Sequence, residues 1–310
     1  MRASFAPFST LFLCVFFSFV PSLLKAGPVM DSLYVVVRLT DNGDAKVTAR
    51  SHVTADQESS ECFIPLTVPD GCKVNDYHVS RENENYYLKN SPNWDTRWSR
   101  YDKLNKCAIE KTGENNYIMH WGLAENGYRV FYISYTITNL LRRFSDADGF
   151  LHEFISPGVY PLPRFAEVIV YGDHDVLFTT ENTRLRSSGF KGKTLVSENH
   201  NILAFTLKPF DKDSHITIAA RIKQGLFNPE LVTEASFADY MSDWNEQLIQ
   251  SELQNADSKS STTDKSISKK AKKDSDNKFL AVAAVAVALC LLLVALPVIA
   301  FLVIRRKRRG

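Results

Sequence analysis

The side chains able to do chemistry are spread along the chain without catalytic or metal-binding spacing. Seven histidines stand at positions 52, 78, 120, 152, 174, 200 and 215, and none has a second histidine four residues away with a carboxylate between. His152-Glu153 opens like a zinc-protease motif but continues Phe154-Ile155-Ser156, which reads as a strand edge. Asp146-Ala147-Asp148-Gly149 resembles the start of a calcium loop yet lacks the third acidic ligand and the distal glutamate, so a polar turn is expected. There is no G-x-S-x-G elbow, phosphate-cradling glycine loop, dinucleotide fingerprint or C-x-x-C pair. No catalytic, cofactor-binding or metal-ligating residue follows, and no cofactor is implied. What remains is recognition chemistry. Trp94, Trp98, Tyr101 and Tyr160 lie in turn-rich segments, where an exposed ring offers a stacking platform and a buried one is core. Trp94, Trp98 and Tyr160, with Asp146 and Asp148, form the candidate binding surface.

The elements that must position these residues show a period of two. Phe131, Ile133, Tyr135 and Ile137 alternate with Val130, Tyr132, Ser134 and Thr136; Ile216, Ile218, Ala220 and Ile222 alternate with Thr217, Ala219 and Arg221. Leu203, Phe205 and Leu207 repeat the pattern. Turn signals separate such runs: Asn42-Gly43, Pro69-Asp70-Gly71, Asn126-Gly127, and Pro161 with Pro163. Short strands at this spacing predict a mainly β domain over 27–228, an antiparallel β-sandwich, with a closed barrel as the alternative. After Pro229 the period changes. Phe237, Tyr240, Met241, Trp244 and Leu248 form one helical stripe, predicting an amphipathic helix within 229–253 that packs on the domain or meets a partner.

Both ends of the chain point to a membrane. Arg2, an apolar run from Leu11 to Val20, and Leu24-Lys25-Ala26 have the order of a secretory signal over 1–26, cut after Ala26. Residues 254–278 are Ser, Thr, Lys and Asp with almost nothing apolar, a flexible stalk. Phe279 to Ile304 carries no charge; as a helix it is about 39 Å long against a hydrocarbon core of about 30 Å. Arg305, Arg306, Lys307, Arg308 and Arg309 follow it in the 305–310 tail, and five lysines between 269 and 278 balance them on the other flank. The signal peptide breaks this tie, placing the domain outside and the basic, membrane-anchoring tail in the cytoplasm. Export into an oxidising compartment allows one disulfide among Cys62, Cys72 and Cys107, with three pairings open. The net charge of +2 gives no case for nucleic acid. The absence of N-x-S/T sequons leans towards a bacterial envelope.

Several residues together carry a resemblance: Trp94-Asp95, Lys103, Cys107, Ile109, His120-Trp121-Gly122, Tyr135-Thr136-Ile137, Phe144, Asp146, Asp148, Phe154 and Pro161. From about Asp31 to Phe227 the chain resembles the predicted-membrane-protein family known as domain of unknown function 2207. The resemblance implies an exported β-sandwich ahead of membrane-spanning sequence and no enzymatic activity. The functional expectation is a non-enzymatic, single-pass envelope protein whose domain makes protein contacts or self-associates. Carbohydrate or cell-wall binding through the aromatics is the first alternative, and a hydrolase with a site assembled from distant loops the second.

Overall fold

The computed structural model describes residues 27–81, 87–123, 125–173, 176–242 and 244. The signal, stalk, membrane span and basic tail expected from the sequence lie outside them. The described residues up to Met241 form one compact unit. Among the described residues this unit is mainly β, with three hydrogen-bonded sheets and two helical turns.

The largest sheet has the order β13 (Gly192–Val196), β14 (Ile202–Thr206), β11 (Pro163–Gly172), β1 (Val29–Leu39), β2 (Ala45–Ala55), β8 (Gly127–Ile137), β4 (Val74–Arg81). Its inward residues are those that alternation selects. Val35, Val37 and Leu39 of β1, Val47 and Ala49 of β2, Phe131, Ile133 and Ile137 of β8, and Val168 and Val170 of β11 are all buried. The turn expected at Asn42-Gly43 joins β1 to β2, with Gly43 at φ +94°.

A second sheet has the order β12 (Thr183–Ser188), β15 (Ile216–Ile222), β10 (Asp148–Ile155), β9 (Arg142–Arg143). A third has the order β3 (Glu61–Thr67), β7 (Asn116–Gly122), β6 (Lys106–Lys111), β5 (Lys89–Asn90). One apolar cluster unites all three, running from Leu33 through Cys62, Trp121 and Phe150 to Ile222.

Antiparallel pairing throughout, as expected from the sequence, is corrected here. β1 pairs with β11 in parallel, and so does β5 with β6. Alternation reports which face of a strand is buried and is silent on the direction of its neighbour. The long excursion between β1 and β11 supplies the crossover that a parallel pair requires. Three sheets also stand where a two-sheet sandwich was expected. In β15 even Thr217 and Ala219 are buried, so this strand is covered on both faces apart from Arg221.

The helix expected within 229–253 begins at the first residue of its stripe, Phe237, and not just after Pro229. Residues 228–235 run as an extended strap: Asn228 and Glu230 donate to the carbonyls of Asp41 and Asn42, while Arg143 donates to Leu231 and accepts from Thr233. Helix formation begins at α2 (Phe237–Tyr240), behind Ser236, whose side chain forms a capping box with Asp239. Phe237 and Met241 are buried, and the rings of Phe237 and Tyr240 pack on Phe144 at 5.2 and 5.0 Å between centroids. Residues 245–253 lie outside the described part.

The disulfide expectation is also corrected: Cys62, Cys72 and Cys107 are all buried free thiols. Cys62 and Cys107 both lie opposite Trp121, one on each side of β7. Two strand spacings, roughly 9.5 Å, separate them, beyond the roughly 7 Å Cα limit of a disulfide. Burial pushes the Cys62 thiol well up and the Cys107 thiol to about 11.

Candidate binding surface

The third sheet presents one face to the core and assembles the site on the other. Cys62, Ile64 and Leu66 of β3, Met119 and Trp121 of β7 and Cys107 of β6 point inward. The intervening residues fall into a cross-strand row. Tyr160 and Phe63 exchange both backbone hydrogen bonds at 3.0 Å, Phe63 lies opposite His120, and His120 lies opposite Ala108. The ring of Tyr160 stacks on Phe63, with centroids 5.4 Å apart at 20°, and Phe63 leans on His120 at 6.0 Å. The phenol side of Tyr77 in β4 holds the row from behind by donating to the His120 carbonyl at 3.0 Å.

A loop delivers the other half. Asp95 starts a turn in which its carbonyl accepts from Trp98 N–H at 3.0 Å and its carboxylate accepts from the Arg97 backbone and guanidinium. Arg97's side-chain bonds, with its backbone N–H next, hold the Asp95 carboxyl down at about 2. This turn brings Trp94 and Trp98 together at 5.8 Å between centroids. Trp94 then stacks on His120 at 5.4 Å and 18°. Trp98, Trp94, His120, Phe63 and Tyr160 are therefore one continuous line of rings. Lys106 sits 4.7 Å over the Trp98 ring, a cation–π contact.

Ion pairing fixes the loop to the sheet. α1 (Arg100–Lys103) starts at a Ser99/Asp102 capping box and lies against β7 at Gly122, where a Cβ would stand 2.0 Å from the Lys103 carbonyl oxygen. From its end the fully buried Lys103 donates to Thr96 O at 2.7 Å and Ser60 Oγ at 3.2 Å, and meets Glu61 Oε1 at 3.3 Å. Glu61 Oε2 accepts from the Trp94 indole N–H at 2.7 Å. Two hydrogen bonds and one ion pair thus hold the Lys103 ammonium. Ser60 is an acceptor towards it, so this is a staple between loop and sheet and lacks the geometry of a nucleophile with its base.

His120 sits between two carboxylates without bonding either. Its Nδ1 is 4.0 Å from Glu61 and its Nε2 3.6 Å from Glu110, and both nitrogens are buried without hydrogen-bond partners. Burial lowers its pKa, and the attraction of Glu61 and Glu110 opposes that shift.

Of the five residues expected to form a binding surface, the structure joins Trp94, Trp98 and Tyr160 through Phe63 and His120. Trp94 and Trp98 are half-buried, and Tyr160 is 41% exposed. Tyr101 is exposed on α1. Asp146 and Asp148 belong to a different place. Asp148 is fully buried against Arg143 at 2.9 Å, and Asp146 accepts from Phe237 N–H at 2.7 Å. These two acids latch the 228–241 strap. Sequence reasoning missed Phe63, His120, Glu61 and Lys103, since their meeting depends on strand register; the His120-Trp121-Gly122 and Lys103 matches to the family pattern were the signal available.

The class that this architecture defines is a mainly β domain. More particularly, the chain belongs to the family described as predicted membrane protein (DUF2207), N-terminal domain, whose model matches residues 29–222. No curated protein matches the chain. Similar solved structures include an aminopeptidase N family protein from Idiomarina loihiensis (8% identity, 61% of this chain and 29% of that one, TM-score 0.33). An M1 zinc metallopeptidase from Deinococcus radiodurans is 13% identical over 65% of this chain and 44% of its own, with TM-score 0.31. Legionella pneumophila aminopeptidase A is 11% identical over 64% and 22%, with TM-score 0.33. The chain spans less than half the length of each. Among the described residues no group of three histidine, cysteine or acidic side chains is placed to hold a metal ion, and no helix is long and apolar enough to cross a membrane.

Proposed function

We propose that this protein is a non-enzymatic recognition module, displayed outside a bacterial membrane by one anchor, which contacts a protein partner through the aromatic row. The observation that carries the reading is the row itself. Five rings touch in sequence from Trp98 to Tyr160, and the buried ionisable groups beside them are spent on holding the loop that supplies two of them. Aromatic anchors in a preorganised frame are the residues that dominate protein interfaces, because they bury much surface at little entropic cost. Tyr101 and Leu162, close in sequence to the row's end residues Trp98 and Tyr160, are also exposed.

The anchoring rests on the sequence and on the family's description as a membrane protein. In this reading the signal is removed after Ala26, Phe279–Ile304 spans the bilayer once, and Arg305 to Arg309 stay in the cytoplasm. The test is chemical cross-linking of the full-length chain in its native membranes. Wild type yields a discrete adduct, with a partner or with a second copy; Trp98→Ala and Tyr160→Ala each reduce its yield at least tenfold. An adduct indifferent to both substitutions overturns the reading.

A glycan is the second reading, favoured by the exposed, flat-stacked ring of Tyr160. A sugar stacks on such a face and exchanges hydrogen bonds with carboxylates alongside. Saturable binding on a glycan array, lost in Tyr160→Ala, would replace the protein partner by a sugar.

A further inference from the structure

The outer face of the second sheet carries positive charge in an arrangement that folding does not favour. Arg184 of β12 stands directly opposite Arg221 of β15, and like charges in that relation destabilise a sheet. Lys223 follows at the end of β15, where its backbone N–H donates to Asn182 O at 2.8 Å. The three cations line an open cleft of about 460 Å³ together with Asp146, Glu181 and Gln224. Two acids against three cations leave a surplus positive charge.

Asp146 pairs with one of these cations and is shared with the backbone of α2. Arg221 meets Asp146 at 3.3 Å through Oδ2 and at 3.0 Å through the backbone carbonyl, whereas Oδ1 of Asp146 is committed to Phe237 N–H at 2.7 Å. Arg184 donates to the carbonyls of Thr180 and Thr183. Those bonds orient a guanidinium without neutralising it. Arg221 remains 44% exposed at the side chain, open to the cleft.

The geometry points to a phosphate-binding site in this cleft. Three cationic groups around one concavity match an acceptor with several terminal oxygens, and paired guanidinium groups favour phosphate because they offer planar forks of N–H donors. A phosphate offers each of Arg184, Arg221 and Lys223 its own terminal oxygen and carries more charge than a single carboxylate. The phosphate belongs either to a lipid headgroup or to a soluble phosphate. The cleft shares no residue with the aromatic row, so its failure would leave the proposed contact face untouched.

The test is backbone hydrogen exchange of residues 183–188 and 216–223 in the full-length chain held in nanodiscs. In phosphatidylcholine discs, inorganic phosphate or pyrophosphate at constant ionic strength slows exchange at least threefold if a soluble phosphate is the ligand. Slowing that appears only when phosphatidylglycerol replaces part of the lipid assigns the site to a headgroup. Either effect is abolished in the Arg184→Gln/Arg221→Gln double variant and weakened in Lys223→Gln, while Lys208→Gln, exposed and outside the cleft, keeps it. Should the double variant fail to fold, Lys223→Gln alone decides. Exchange unchanged under both conditions, or slowing that survives these substitutions, overturns the proposal.

Discussion

Both ring nitrogens of His152 are buried without hydrogen-bond partners, and its ring meets Phe154 edge-on at 4.7 Å. Burial brings its pKa down to about 3 from an ordinary 6.5. The folded state therefore favours the neutral ring, a contribution complete above pH 6.5 and lost as pH falls from there towards 3. Between pH 7 and pH 5 the loss is about 2 kcal/mol. Replacing His152 by Leu removes it, so urea midpoints of the variant should fall less on acidification than those of wild type; parallel declines would show that His152 titrates normally. Lys103 makes the opposite point. Its charge is buried but fully paired, so Lys103→Met leaves Glu61 uncompensated and should destabilise by about 3–5 kcal/mol. The double variant Lys103→Met/Glu61→Gln should recover part of this, measurable as a coupling in a double-mutant cycle. Additive losses would mean that the staple is no interaction at all.

The strand was the most legible element in the sequence. Period-two runs marked β8, β14 and β15, and Asn-Gly pairs marked the turns leading into β2 and β8, because side chains that alternate between the faces of a strand leave that period on residue type. Register and neighbour direction leave no such imprint. That is why the parallel β1–β11 pair went unseen, and why Phe63 and His120 did not read as partners although both alternate as they should. The aromatic residues of the loop were visible as types, but the turn at Asp95 that brings Trp94 against Trp98 was not. The acids at 146 and 148 read as surface groups; their work is to hold α2 and β9, a tertiary role that local spacing cannot announce. Register also keeps two of the cysteines apart. With Trp121 between them, Cys62 and Cys107 cannot pair, and all three thiols are buried and free, so thiol titration of the domain should find Cys62, Cys72 and Cys107 unreactive when folded and all three reactive in denaturant, without added reductant. A thiol count that rises only after reduction would show a disulfide where the structure has three free thiols.

Across its described residues the molecule is a mainly β domain, closed at its C-terminal side by the 228–241 strap and presenting a row of rings supported by a buried ion pair. The family is one of predicted membrane proteins, and the proposal that the domain faces outward rests on the two ends of the sequence. Ligand identity was never legible, because the proposed recognition face is a tertiary constellation drawn from β3, β7 and two loops far apart in sequence. The most direct measurement is photo-cross-linking in intact cells from a benzophenone side chain introduced at position 160 of the full-length protein. The account predicts a discrete adduct from position 160, absent when the same probe replaces Leu207, an exposed residue beyond the end of β14. It also predicts that adding Trp98→Ala to the position-160 probe abolishes the adduct. No adduct from position 160, or an equal one from 207, would contradict it.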